Sequence, residues 1–129
     1  MNITNLLYIL LSLLFFTVGV VNGQDFINAS NFNDKIAKDI VAVEFWADWN
    51  KSNEVSELKS LKDATVYRVD IMHCTSLQSD YEVVSVPTII IFESGKEKDR
   101  FAANIMFQLE ADKKDVQKSI DKIMLAKFN

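Results

Sequence analysis

Cysteine and histidine are nearly missing from this chain. Its 129 residues include one of each, Cys74 and His73. A single cysteine cannot close a disulfide within the chain, so a disulfide-stapled domain is excluded. A zinc or iron centre built from His and Cys ligands needs more of both, so no metal and no cofactor is expected. Basic residues are outnumbered: 14 Lys and Arg face 18 Asp and Glu, for a net charge of −4. That balance argues against a phosphate-binding surface, and so against nucleic acid as a partner. Neither a repeat nor a low-complexity segment is visible. What is present is a chain 49% hydrophobic and 25% charged, enough for one domain with a real core.

Leu6 to Val21 is almost wholly apolar. Val21-Asn22-Gly23 then places small residues where a signal peptidase reads, and Gln24-Asp25 opens a polar chain. Residues 1–23 therefore read as a signal peptide, leaving residues 24–129 as an exported domain, periplasmic or secreted. Met1 to Asn5 has no Lys or Arg, which departs from the usual pattern. The competing reading is an uncleaved membrane anchor, but the apolar run is shorter than the roughly 20 residues a spanning helix needs.

In the mature chain, Phe26-Ile27 is a possible first strand. Ser30 is placed to cap a short helix carrying Phe32 and Ile36, ending near Lys38-Asp39. Ile40 to Trp46 is an apolar run broken by one carboxylate, Glu44, and reads as a buried strand. Asn50 to Lys62 is expected as a helix, with Val55, Leu58 and Leu61 on one stripe. Thr65 to Ile71 is a second strand pattern, Thr75 to Tyr81 a short helix or turn, and Thr88 to Phe92 the strongest strand. Glu93-Ser94-Gly95-Lys96 is a hairpin turn leading to a partner strand from Asp99 to about Phe107. Asp112 caps a last helix whose apolar face is Val116, Ile120, Ile123 and Met124. Strands alternating with helices, then a hairpin, imply a three-layer α/β/α sandwich on a mixed central sheet.

Phe45-Trp46-Ala47-Asp48-Trp49, with Val86-Pro87-Thr88 some forty residues on, resembles the thioredoxin family, where the strand runs into Trp-Cys-Gly-Pro-Cys. The resemblance covers about residues 40–101 and implies a thioredoxin-like fold. It places Asn50 and Asn53 at the two cysteine positions, with Lys51 and Ser52 between. It places Pro87 on the family's cis-proline and Val86 on the residue whose backbone bonds an extended substrate chain. It places Glu44 on the buried acid, usually Asp, and Arg68 on its basic partner, an implied ion pair. The chain differs from the pattern elsewhere too. The stretch from Trp49 to Arg68 is short and lacks the kinking proline, Ala103 stands where the family has glycine, and Asn104 to Ala111 is long.

Thiol–disulfide exchange requires a thiolate to attack and a second thiol to resolve the mixed disulfide. An asparagine amide does neither, so the family's oxidoreductase chemistry is not expected. Asn50 and Asn53 either cap a helix or, with Trp49 and the Val86 backbone, bind a peptide. Cys74 lies at a helix start beside His73 and is expected to be partly exposed, as a reactive thiol or an intermolecular disulfide. Free cysteine is otherwise often buried and inert, and a Cys74–His73 dyad is disfavoured because adjacent residues in a turn rarely face each other. Ile105, Phe107 and Leu109 alternate with polar or flexible neighbours and read as an extension of the edge strand. The leading expectation is a redox-inactive, exported protein that binds a protein or peptide through Trp49, Asn50, Asn53, Val86 and Pro87. The alternatives are a redox protein acting through Cys74 with a partner, and a structural subunit dimerising through Cys74 or the 105–109 edge.

Overall fold

A computed structural model describes residues 25–129. The expected leader, residues 1–23, lies outside the described residues. Strand β2 (Ile40–Trp46) is buried along almost its whole length. It can be apolar on both faces because each face has its own covering layer. Val41, Val43 and Phe45 point to one core, with Phe32, Ile36, Val69, Leu77, Ile90 and Phe92. Ile40 and Ala42 point to the other, with Leu58, Leu61, Ile89, Ile91, Val116 and Ile120. Strand side chains alternate between faces, so Glu44 falls on the second side.

The sheet has five strands in the order β1-β3-β2-β4-β5. These are β1 (Asp25–Phe26), β2, β3 (Thr65–Asp70), β4 (Thr88–Glu93) and β5 (Lys96–Ala102). β3 pairs in parallel with β1 and β2, while β4 runs antiparallel to both β2 and β5. Helices α1 (Phe32–Ile36) and α2 (Thr75–Asp80) contribute to the first core, and α3 (Lys113–Ala126) to the second. The three-layer sandwich on a mixed sheet is therefore the architecture of the chain. In the β4–β5 turn, Ser94 and Gly95 both have positive φ, 50° and 84°, as a two-residue hairpin of matching twist requires. Asp112 caps α3 in a reciprocal box with Asp115, and Val116 and Ile120 are buried as the stripe implies.

Several local expectations are corrected. Residues 50–62 do not form an α-helix. They hold two 3-10 segments, Asp48–Asn53 and Leu58–Ser60, and Glu57 between them is left-handed at φ 61°. The segment is held by distant partners instead: Glu44 accepts from Val55 N–H and Arg68 pairs with Glu54. Leu58 and Leu61 are buried all the same. Gln117 of α3 clamps this segment by giving and taking a hydrogen bond at the Lys62 backbone, at 3.0 and 2.8 Å. β5 stops at Ala102, so residues 105–109 are not an edge strand. Ser30 does not cap α1; Asn31 occupies that position without a side-chain cap bond, and the helix ends at Ile36. Ser30 instead donates its N–H and hydroxyl to Asn28 Oδ1, and Asn28 N–H donates to Asn31 Oδ1.

Candidate functional site

The chain leaves β2 at Trp46 and turns at once into the first 3-10 segment, whose entry residue is Ala47. Neither Asn50 nor Asn53 caps a helix, contrary to one expectation. Asn50 is the point where the segment kinks, at φ −116° and ψ 18°, and that kink turns its side chain inward. The residue is only 7% exposed. Its Nδ2 donates to the Val86 carbonyl at 2.9 Å and to the Phe107 carbonyl at 3.1 Å. Its Oδ1 accepts from Asn53 Nδ2 at 2.8 Å. Both amide hydrogens and one oxygen lone pair are thus engaged, as a buried amide requires.

The Val86–Pro87 bond is cis, and both residues are buried at the end of the first core. The Val86 carbonyl, expected to meet an extended partner chain, already accepts from Asn50. Beside it, residues 103–108 form a tight loop. Asn104 organises the loop: its N–H donates to Gln108 O, its carbonyl accepts from Phe107 N–H, and its Oδ1 accepts from the N–H groups of Met106 and Gln108. Phe107 takes a left-handed conformation at φ 57°. The loop is moored to the cis-proline turn by Ala103 N–H on Pro87 O at 3.0 Å and by Ser85 Oγ on Ala103 O at 2.8 Å. Sequence reasoning missed this loop's role. The available signal was Asn104, a residue whose side chain readily bonds backbone two residues on.

The surface around this junction is apolar. Trp49 is 55% exposed, and its ring meets Phe107 edge-on with centroids 5.0 Å apart. Ile105 is 93% exposed, and Met106 is exposed with it. Of the expected groove, the structure brings Asn50, Asn53 and Val86 into one hydrogen-bonded set, with Pro87 adjoining. Trp49 joins through Phe107 rather than through the amides. A separate cleft of about 850 Å³ lies between residues 53–63 and the start of α3, and Trp49, Asn50, Val86 and Pro87 take no part in lining it.

Beneath the 3-10 segment sits the carboxylate of Glu44, with no exposed surface. It faces Arg68 in the β2–β3 register. Arg68 Nε and Nη2 approach Glu44 Oε1 at 2.8 and 2.7 Å, and Val55 N–H donates to Oε2 at 3.3 Å. Burial holds the Glu44 carboxyl above its ordinary value of 4.5, although Arg68 pulls the other way. Glu54, not singled out from sequence, completes the cluster. Its Oε2 accepts from Trp46 Nε1 at 3.0 Å and lies 3.2 Å from Arg68 Nη2. The guanidinium also stacks near the rings of Trp46 and Phe26, 5.0 and 5.8 Å from their centroids. Trp46 is thus a half-buried member of a charged cluster.

Cys74 is not partly exposed as expected. It is 7% exposed and packs into the first core, at the residue preceding α2. The apolar company of Ile71 and Leu77 explains the burial. His73 points away to pair with Asp70, Nδ1 to Oδ2 at 2.8 Å. Among the described residues no three His, Cys, Asp or Glu side chains gather as a metal site.

The thioredoxin family model matches residues 24–122. The chain belongs to the thioredoxin family. The thioredoxin of Chlamydia trachomatis serovar D is 34% identical over 80 residues, covering 57% of this chain and 78% of that protein. That of Mycoplasmoides gallisepticum is 35% identical over 68 residues, covering 46% and 66%. Among solved structures, a mutant thioredoxin from Halobacterium salinarum NRC-1 superposes with a TM-score of 0.64 at 25% identity, over 76% of this chain and 88% of the other. An Entamoeba histolytica thioredoxin mutant, at 18% identity, shares the fold with a TM-score of 0.61 over 78% and 99%. Within this thioredoxin scaffold, Asn50 and Asn53 form a hydrogen-bonded pair of amides.

Proposed function

We propose that this thioredoxin-family protein is redox-inactive, is exported after loss of its leader, and binds an extended segment of another protein at the cis-proline end of the sheet. The observation that carries this reading is Asn50, a buried amide spent on structural hydrogen bonds where family chemistry needs an accessible thiolate. The remaining thiol, Cys74, is buried in the core, which disfavours both the one-cysteine redox reading and dimerisation through a disulfide. The binding reading draws on the exposed apolar rim of Trp49, Ile105, Met106 and Phe107 beside Val86 and Pro87. Exposed apolar side chains gathered at one place mark contact sites more often than scattered ones do.

Two measurements test it. Disulfide reduction of insulin by the protein with a thiol reductant should not exceed the reductant alone, and turnover abolished by Cys74→Ser would overturn the reading. Capture of proteins from the exported fraction should be lost in Trp49→Ala and retained in Cys74→Ser. Equal capture by all three proteins would remove the rim from the contact surface.

A further inference from the structure

We infer that Asn50 is a latch: it closes the cis-proline site on the protein's own loop 103–108, and binding there requires the latch to open. The inference rests on the binding reading above and concerns how that same site is regulated. One side chain joins three segments that are far apart in sequence. Its Nδ2 spans the Val86 and Phe107 carbonyls, and Asn53 holds its oxygen from the third side. The Val86 carbonyl is the backbone acceptor nearest the cis-proline, and here the protein supplies its donor. The loop that Asn50 clasps is a self-contained unit. Four hydrogen bonds centred on Asn104 keep its shape, so opening would free it as a body from its ties to the cis-proline turn at Asn50 and Ala103.

The closed state leaves the loop's apolar tip in solvent. Ile105 and Met106 are exposed in this state, and Phe107 meets the edge of Trp49. The ties across the junction are therefore mainly polar: the two Asn50 bonds, together with those at Ala103. A net hydrogen bond shifts an equilibrium by roughly two- to twelvefold. A site open only part of the time binds more weakly by that fraction. Removing both bonds should thus tighten binding by about tenfold.

The test compares the protein with Asn50→Ala, and with Asn53→Ala as a milder variant that leaves the clasp but frees its orientation. First, with nothing bound, amide exchange is followed at Ala103, whose N–H crosses the junction to Pro87 O. Faster exchange in Asn50→Ala, and a smaller acceleration in Asn53→Ala, is the expected result; unchanged exchange in both overturns the latch. Second, binding of reduced, carboxymethylated insulin B chain is titrated as a probe of extended polypeptide. About tenfold tighter binding by Asn50→Ala supports gating, and equal or weaker binding overturns it. Faster exchange with no binding by any of the three proteins overturns the gate by removing the binding function beneath it, and leaves the loop contact a purely structural one. Should Asn50→Ala fail to fold, Asn53→Ala carries both readouts, with the same signs.

Discussion

Arg68→Met is the perturbation that best separates a working ion pair from an ornamental one. Glu44 has a fully buried side chain, and that of Arg68 is 11% exposed. The substitution keeps an unbranched apolar stem against Trp46 and Phe26 and removes the cation. Glu44 then loses both guanidinium contacts, at 2.7 and 2.8 Å, and keeps only the long Val55 N–H bond. Glu54 loses a partner too, but it is at the surface and can turn to water. Stranding one member of a buried pair costs about 3–5 kcal/mol. For a domain of this size that lowers Tm by at least about 12 °C. The loss should shrink at pH 5, because Glu44 can escape by protonating, and its carboxyl already sits above the ordinary range. The double variant Glu44→Gln with Arg68→Met should recover most of the stability, since no charge is left buried. Urea melts at pH 7 and pH 5 measure all three proteins. A single-variant cost that is the same at both pH values, or a double variant as unstable as the single, refutes the argument.

Three further outcomes follow from the same geometry. Glu44 titrates above 4.5 in the folded protein, so the unfolded chain releases its proton first. The stability of the native protein relative to Glu44→Gln should therefore fall as pH rises above 4.5, then level once Glu44 ionises in the fold; a relative stability that rises over this window contradicts the burial assignment. Trp49→Ala should cost only about 1 kcal/mol, because the ring is half exposed and loses mainly the Phe107 edge contact, and a denaturant melt showing a loss several times larger would place Trp49 in the core. Asn50→Cys combined with Asn53→Cys should form a disulfide on oxidation, read by thiol titration, because the two amides already meet at 2.8 Å; two free thiols after oxidation would mean that the kinked 3-10 geometry holds the side chains apart.

Much of the fold was legible because it is written in local patterns. β2 and β4 are largely apolar runs, Gly95 marks the hairpin, and Asp112 caps α3. Burial of alternate residues and the need to cap a helix act over a few neighbours, so the chain displays them. The segment after β2 was misread for a related reason. Val55, Leu58 and Leu61 fit either of two helical periods, and what settles the matter is distant: Glu44 holds Val55, Arg68 holds Glu54, and Gln117 holds Lys62.

At the site, the chain by itself determined the chemistry. Asn50 and Asn53 cannot exchange disulfides in any fold, because an amide has no thiolate to offer. Where those amides go was decided only by tertiary structure. Asn50 reaches Val86 and Phe107 across separations of 36 and 57 residues. Those bonds exist because β4 lies beside β2 in the sheet and the 103–108 loop folds back over their ends. Packing likewise decided the burial of Cys74 and the place of Glu54. A side chain's type is local information, but the partners that satisfy it are assembled by packing.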